Sequence, residues 1–120
     1  MDYTTRLAAN RIYVETRIYS PVTKELALKS QTDANDLAAK HDLTRFLVDV
    51  RGISTQTGAL GDILVAEELP KTGLPLSSRI AILVSPDDDQ HDFIETAAQN
   101  RGIILQVFKH DGDAIAWLSE

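Results

Sequence analysis

The chain contains no cysteine. That excludes a disulfide framework, a thiolate nucleophile and any cysteine-ligated zinc or iron–sulfur centre. Aromatic residues are scarce, at 6% of 120 positions, with a single Trp. Basic residues are in the minority: 12 Lys and Arg stand against 18 Asp and Glu, for a formal net charge of −6. Neutralising a nucleic-acid backbone needs a basic surface, so nucleic acid is not an expected partner. Long apolar runs are missing as well. The longest, Ile80 to Val84, is far shorter than the roughly 20 residues of a membrane span, so no integral membrane segment is expected. Met1 to Asn10 carries Asp2 and Arg6 and lacks the apolar core of a signal peptide, which makes the cytoplasm the expected location. What is present is an ordinary soluble mixture, 43% hydrophobic and 25% charged. Its length suits one domain over residues 1–120.

Alternation marks the first strong element. From Arg11 to Tyr19, Ile12, Val14, Thr16 and Ile18 fall on one side and Tyr13, Glu15, Arg17 and Tyr19 on the other. That is the period of a strand with one wetter face. Asp2 to Leu7 is a weaker strand candidate, and Ala9-Asn10 is the tight turn that would join the two as a hairpin. Either Ser20 with Pro21, or Thr23, caps the helix that follows, which runs to about His41 with Leu26, Ala34, Leu37 and Ala38 on one face. Phe46 to Val50 is apolar on both faces and reads as a buried parallel strand ended by Gly52. Ile53 to Thr57 is a polar loop. A second helix begins around Leu60, Ile63 and Leu64 and ends near Leu69, before Pro70; Lys71 to Ser78 is a loop. Ile80 to Val84 is the clearest buried strand. Ser85-Pro86-Asp87-Asp88 reads as a helix start, with Ser85 as cap, and Phe93, Ile94, Ala97 and Ala98 form its apolar stripe. Gly102 is the left-handed stop, Ile103 to Phe108 a further strand, and Asp111-Gly112-Asp113 opens a last helix through Leu118.

The predicted order is β-β-α-β-α-β-α-β-α. Right-handed crossovers turn it into an α/β fold with a mixed, mostly parallel sheet and packed helices. Three stretches carry a resemblance to a known group: Arg45-Phe46-Leu47-Val48-Asp49-Val50-Arg51-Gly52; Ser78-Arg79-Ile80-Ala81-Ile82-Leu83-Val84 with His91-Asp92-Phe93 after it; and Val107-Phe108 followed by Ala114-Ile115-Ala116-Trp117-Leu118. With this element order they resemble the STAS-like proteins, which include the anti-sigma-factor antagonists and the short bacterial SpoIIAA-like proteins classed as STAS/SEC14-like. The resemblance covers essentially the whole chain and implies a single-domain STAS-like fold. It also implies a protein that works by docking another protein, in some members under phosphorylation of a serine in an Asp-Ser-Ser-Gly loop. Asp49 and Gly52 match that strand-end motif. The Asp-Ser-Ser-Gly core itself is absent, and Thr57-Gly58 lies nearest to its place.

Ser54, Thr55, Thr57 and Gly58 therefore form the candidate phosphoacceptor or docking loop. Their position after a buried strand is where open parallel sheets place ligands. The plainer reading of the same hydroxyls is a solvated loop that caps a helix. His41, His91 and His110 each precede an aspartate, a pattern of metal phosphohydrolases that also arises from solvated polar pairs, and Asp87 to Asp89 could suggest a divalent cation but suit a helix start by their charge alone. No metal is expected. Gly58 and Gly61 make no phosphate loop and no Gly-x-Ser-x-Gly elbow occurs, so no cofactor and no catalytic residue is expected. Trp117 reads as core packing of the last helix, with a partner surface as the alternative.

Two functions of different class follow. One is a non-enzymatic regulatory or interaction module with a protein partner. The other is a carrier of a small apolar molecule or lipid, of the kind SEC14-like proteins represent, with Leu60, Ile63, Leu64, Leu69, Leu74 and Leu76 as an apolar lid. Either leaves a homo-oligomer open.

Overall fold

The computed structural model describes residues 2–54, 58–88 and 92–120, and only the backbone at 58–60 and 92. Five strands form one sheet in the order of the chain: β1 (Tyr3–Leu7), β2 (Val14–Ile18), β3 (Arg45–Asp49), β4 (Arg79–Leu83) and β5 (Ile104–Phe108). β1 is antiparallel to β2, and every other pairing is parallel. Phe46 sits between Val14 and Ile80, and Leu47 between Glu15 and Ala81. Three helices make the parallel crossovers: α1 (Lys24–Lys40), α2 (Gly58–Glu68) and α3 (Asp92–Gln99). Each crossover advances one strand in the same direction, so right-handed connections put all three on one face. The last helix, α4 (Asp111–Leu118), packs on β3, β4 and β5.

Period two then sorts the side chains. Val14, Phe46, Ile80 and Leu105 point to the three-helix face and meet Ala34, Ala38, Val65, Ile94, Ala97 and Ala98. Near the strand ends the same face closes with Ile18, Val22, Val50 and Val84. Leu47, Ala81 and Leu83 point the other way, to Ala114 and Leu118 of α4. Trp117 packs on Phe108 with ring centres 5.4 Å apart and carries the Arg79 guanidinium 5.3 Å above its ring, so it serves the packing of the last helix. α2 makes its close backbone approaches chiefly to α1 and α3.

Several local signals act as the residue types predict. Thr23 is the cap of α1, its hydroxyl accepting the Leu26 N–H at 3.2 Å. Gly52 and Gly102 both take left-handed backbone, at φ +76°. Four expectations need correction. The first connection is wider than an Ala9-Asn10 turn: Ala8 N–H bonds Tyr13 C=O, Asn10 Oδ1 accepts the Ile12 N–H, and Arg11 is left-handed at φ 61°. Pro70 does not leave the helical path, because Leu69–Thr72 forms a 3₁₀ turn, which a proline in its first turn tolerates. The strands written as Phe46 to Val50 and Ile80 to Val84 each begin one residue earlier. Finally, residues 85–88 form a turn closed by Asp88 N–H on Ser85 C=O, and α3 begins at Asp92. Among the described residues no helix is long and apolar enough to cross a membrane.

Candidate docking edge at the strand ends

β2, β3 and β4 run parallel and so end on the same side of the sheet. At that end Asp49, the last residue of β3, is only 3% exposed. A buried carboxylate is stable only where charge and hydrogen bonds compensate it. Asp49 has both. Arg17, its ladder neighbour on β2, donates from Nη1 at 2.6 Å. Arg51 donates from Nε at 3.1 Å and Nη2 at 2.9 Å, and its main-chain N–H adds a bond of 3.1 Å. Burial pushes the Asp49 carboxyl up, but the bonds from Arg51 and Arg17 outweigh it and hold the group below the ordinary carboxylate range. The same contact raises Arg51. Two guanidiniums flank the one carboxylate, and the charges of Asp111 and Glu15 also act on Arg51. Both arginines keep part of their surface in solvent.

The loop that follows is tied to its neighbours. Gly52 donates its N–H to Ser85 Oγ at 2.8 Å, which links the end of β3 to the end of β4. Ile53 N–H bonds Val50 C=O, and Ser54 C=O accepts the Val22 N–H at 2.9 Å, which links the loop to the segment before α1. Ile53 packs against Ile18, Val22, Val50 and Val84. Ser54 itself is exposed. The result is a short, pinned edge that presents Arg51, Gly52 and Ser54 outward.

Of the predicted docking residues, Asp49, Gly52 and Ser54 come together here. Thr55 and Thr57 lie outside the described residues, and Gly58 opens α2. The described residues of the predicted apolar lid stand in different surroundings. Leu69 is buried in the core, Ile63 packs against it, Leu64 is partly exposed, and Leu76 is 93% exposed. Leu74 and Leu76 instead line a separate open groove with Pro70, Pro75, Ile103 and Ile104, at the opposite end of the strands. Leu60 lies among the residues described by backbone alone. His41 caps the end of α1 and His110 precedes α4; His91 and Asp89 are outside the described residues. Ser85 is not a helix cap: its hydroxyl is used by Gly52.

A second feature lies under α2. A cavity of about 80 Å³ is walled by Val48, Val50, Ile80, Ile82 and Leu105 of the sheet and closed by residues of the three helices. Its rim includes three buried polar residues, Ser30, Gln31 and Asp62. Gln31 donates to Asn35, which bonds Thr72 of the 3₁₀ turn. Polarity on the inward face of α1 was not signalled by its apolar residues. The partnership of Arg17 with Asp49 was equally hidden, since 32 residues separate them; only the short spacing of Asp49 and Arg51 hinted at a local ion pair. Comparison of the chain with known protein families, with curated proteins and with solved structures finds no match.

Proposed function

We propose that this chain is a non-enzymatic interaction module of STAS-like type that docks a protein partner at the end of β3. The observation that carries this reading is the clamp of Arg17 and Arg51 on buried Asp49, followed by a loop tied to its neighbours through Gly52 on Ser85 and Val22 on Ser54. A preformed loop loses little conformational entropy on binding. The outward N–H groups of Arg51 suit an acidic or carboxyl-bearing patch on the partner. The STAS-like fold belongs to the same proposal and is supported by the element order, with one antiparallel edge strand and three helical crossovers. An aspartate at Ser54 places a carboxylate on this edge and should change what binds. Affinity capture from cells with wild type, Ser54→Asp and Thr57→Asp tests it. The proposal expects a partner that is altered or lost in at least the Ser54 variant; identical partners in identical yield would refute it.

A second reading, a small apolar ligand, is favoured by the cavity beneath α2. An engineered cavity of about 150 Å³ admits benzene, and drug-sized ligands need roughly 300 Å³ or more. About 80 Å³ therefore suits only a smaller group unless α2 moves outward. Native mass spectrometry of protein purified from cells separates the readings. A co-purifying small molecule supports the carrier, and a bare mass of 13.2 kDa speaks against it.

A further inference from the structure

The sheet has two edges, and they are treated differently. On β5, Phe108 C=O turns inward to accept Val84 N–H, so Leu105 and Val107 turn their main-chain groups outward. Two side chains one turn apart on α3 cover that row: Glu95 accepts the Val107 N–H at 2.7 Å, and Gln99 donates to Leu105 C=O at 3.4 Å. Such cover is how proteins keep an edge from recruiting another strand. On β1 the parity is equally clear. Asp2 C=O accepts Tyr19 N–H and Ala8 N–H bonds Tyr13 C=O, so the even-numbered residues face β2. Tyr3, Thr5 and Leu7 turn their main-chain groups outward, and no described residue bonds them. The strand has no proline, no lysine and an uninterrupted register. At its centre, Thr5 Oγ1 is shielded from solvent and finds no hydrogen-bond partner among the described residues.

We propose that β1 is a pairing edge for a second copy of this chain, joined antiparallel across a twofold axis at Thr5. The sequence of the strand is self-complementary in that register. Thr5 faces Thr5 of the copy, Tyr3 faces Leu7, and each outward N–H meets an outward C=O. Charge agrees with the same axis. α1 packs on β1 and runs parallel to it, with Asp33 above Tyr3, to whose hydroxyl it is bonded. Lys40 lies two turns further along the same stripe of α1. The twofold turns Asp33 of one copy toward Lys40 of the other. The two sheets become one, and the only remaining outer edges are the covered β5 strands.

Sedimentation equilibrium and amide hydrogen exchange test this on the full chain. The proposal expects a concentration-dependent species of twice 13.2 kDa and slow exchange at the Thr5 and Leu7 amides. Thr5→Pro removes an N–H that does no work within the monomer's ladder, so a single-copy fold tolerates it. It should weaken association by about tenfold or more, since it deletes one hydrogen bond from each half. Lys40→Glu reverses the charge that the twofold brings to Asp33 and should weaken association about two- to fivefold. A chain that stays monomeric at its highest soluble concentration overturns the proposal. So does a dimer undiminished in Thr5→Pro, or free exchange at Thr5 and Leu7. If Thr5→Pro does not fold, Lys40→Glu and wild-type exchange decide.

Discussion

The two faces of the sheet are built on different terms. The three-helix face is covered from β1 to β5, and its strand residues are almost all apolar. Among the described residues the opposite face has one helix, α4, which packs chiefly on β3 to β5. Under α4 Leu47, Ala81 and Leu83 are apolar, while Arg79 at the start of β4 stacks on Trp117 and donates to its C=O. On β1, on β2 and at the end of β3 they become charged: Arg6 with Glu15, then Arg17 with Asp49 and Arg51. Tyr13 marks the border, its phenol buried and pushed up by that burial, with Glu15 adding to it. Charge gathers on the side of this face away from α4, and where it is buried, as at Asp49, it is paired. The candidate docking edge lies there.

The sharpest way to break the contrast is to empty the covered face. Phe46 is 1% exposed and central to the three-helix core. Phe46→Ala should cost about 3–5 kcal/mol in urea unfolding. The uncovered face should respond less and in a different currency. Asp49→Asn leaves Arg17 and Arg51 facing a neutral amide and should cost about 1–3 kcal/mol. It should also change the pH dependence. Asp49 titrates lower in the folded chain than in the unfolded one. Its stabilisation is therefore full above the ordinary aspartate pKa of about 3.9 and is lost as pH falls through the folded value. Urea midpoints of Asp49→Asn should decline less steeply in acid than those of wild type.

Smaller effects refine the picture. Gly52 holds φ +76° with open space where a Cβ would stand, so Gly52→Ala tests backbone strain alone. It should cost about 1–2 kcal/mol and disturb partner capture more than the cost suggests, since it sits in the presented loop. Arg6 bonds Glu15 at 3.1 Å but its side chain is largely in solvent. Arg6→Ala should change stability by no more than about 0.5 kcal/mol. A loss comparable to that of Asp49→Asn would mean that the charged half of this face is structural throughout.

Legibility followed the same division. Runs such as Ile80 to Val84, the stripe of Ile94, Ala97 and Ala98, the Thr23 cap and the turns at Gly52 and Gly102 are local signals, and the fold uses them locally. Ser85 shows where local reading fails. Ser-Pro-Asp-Asp has every mark of a helix start, yet the hydroxyl is taken by Gly52, 33 residues earlier. No local pattern encodes that competition. The lid residues pose a related problem: Leu69 and Leu76 share a segment, but Leu69 is buried in the core and Leu76, beyond the 3₁₀ turn at Leu69–Thr72, is exposed. Asp49 and Gly52 were legible as a strand end, while the role of Arg17 needed the pairing of β2 with β3.

Site-specific photo-crosslinking from position 54 in cells tests the central claim most directly, with position 113 on exposed α4 as the control. The account predicts a discrete protein adduct from position 54 that is absent from position 113. No adduct at 54, or the same adducts from both positions, would contradict it.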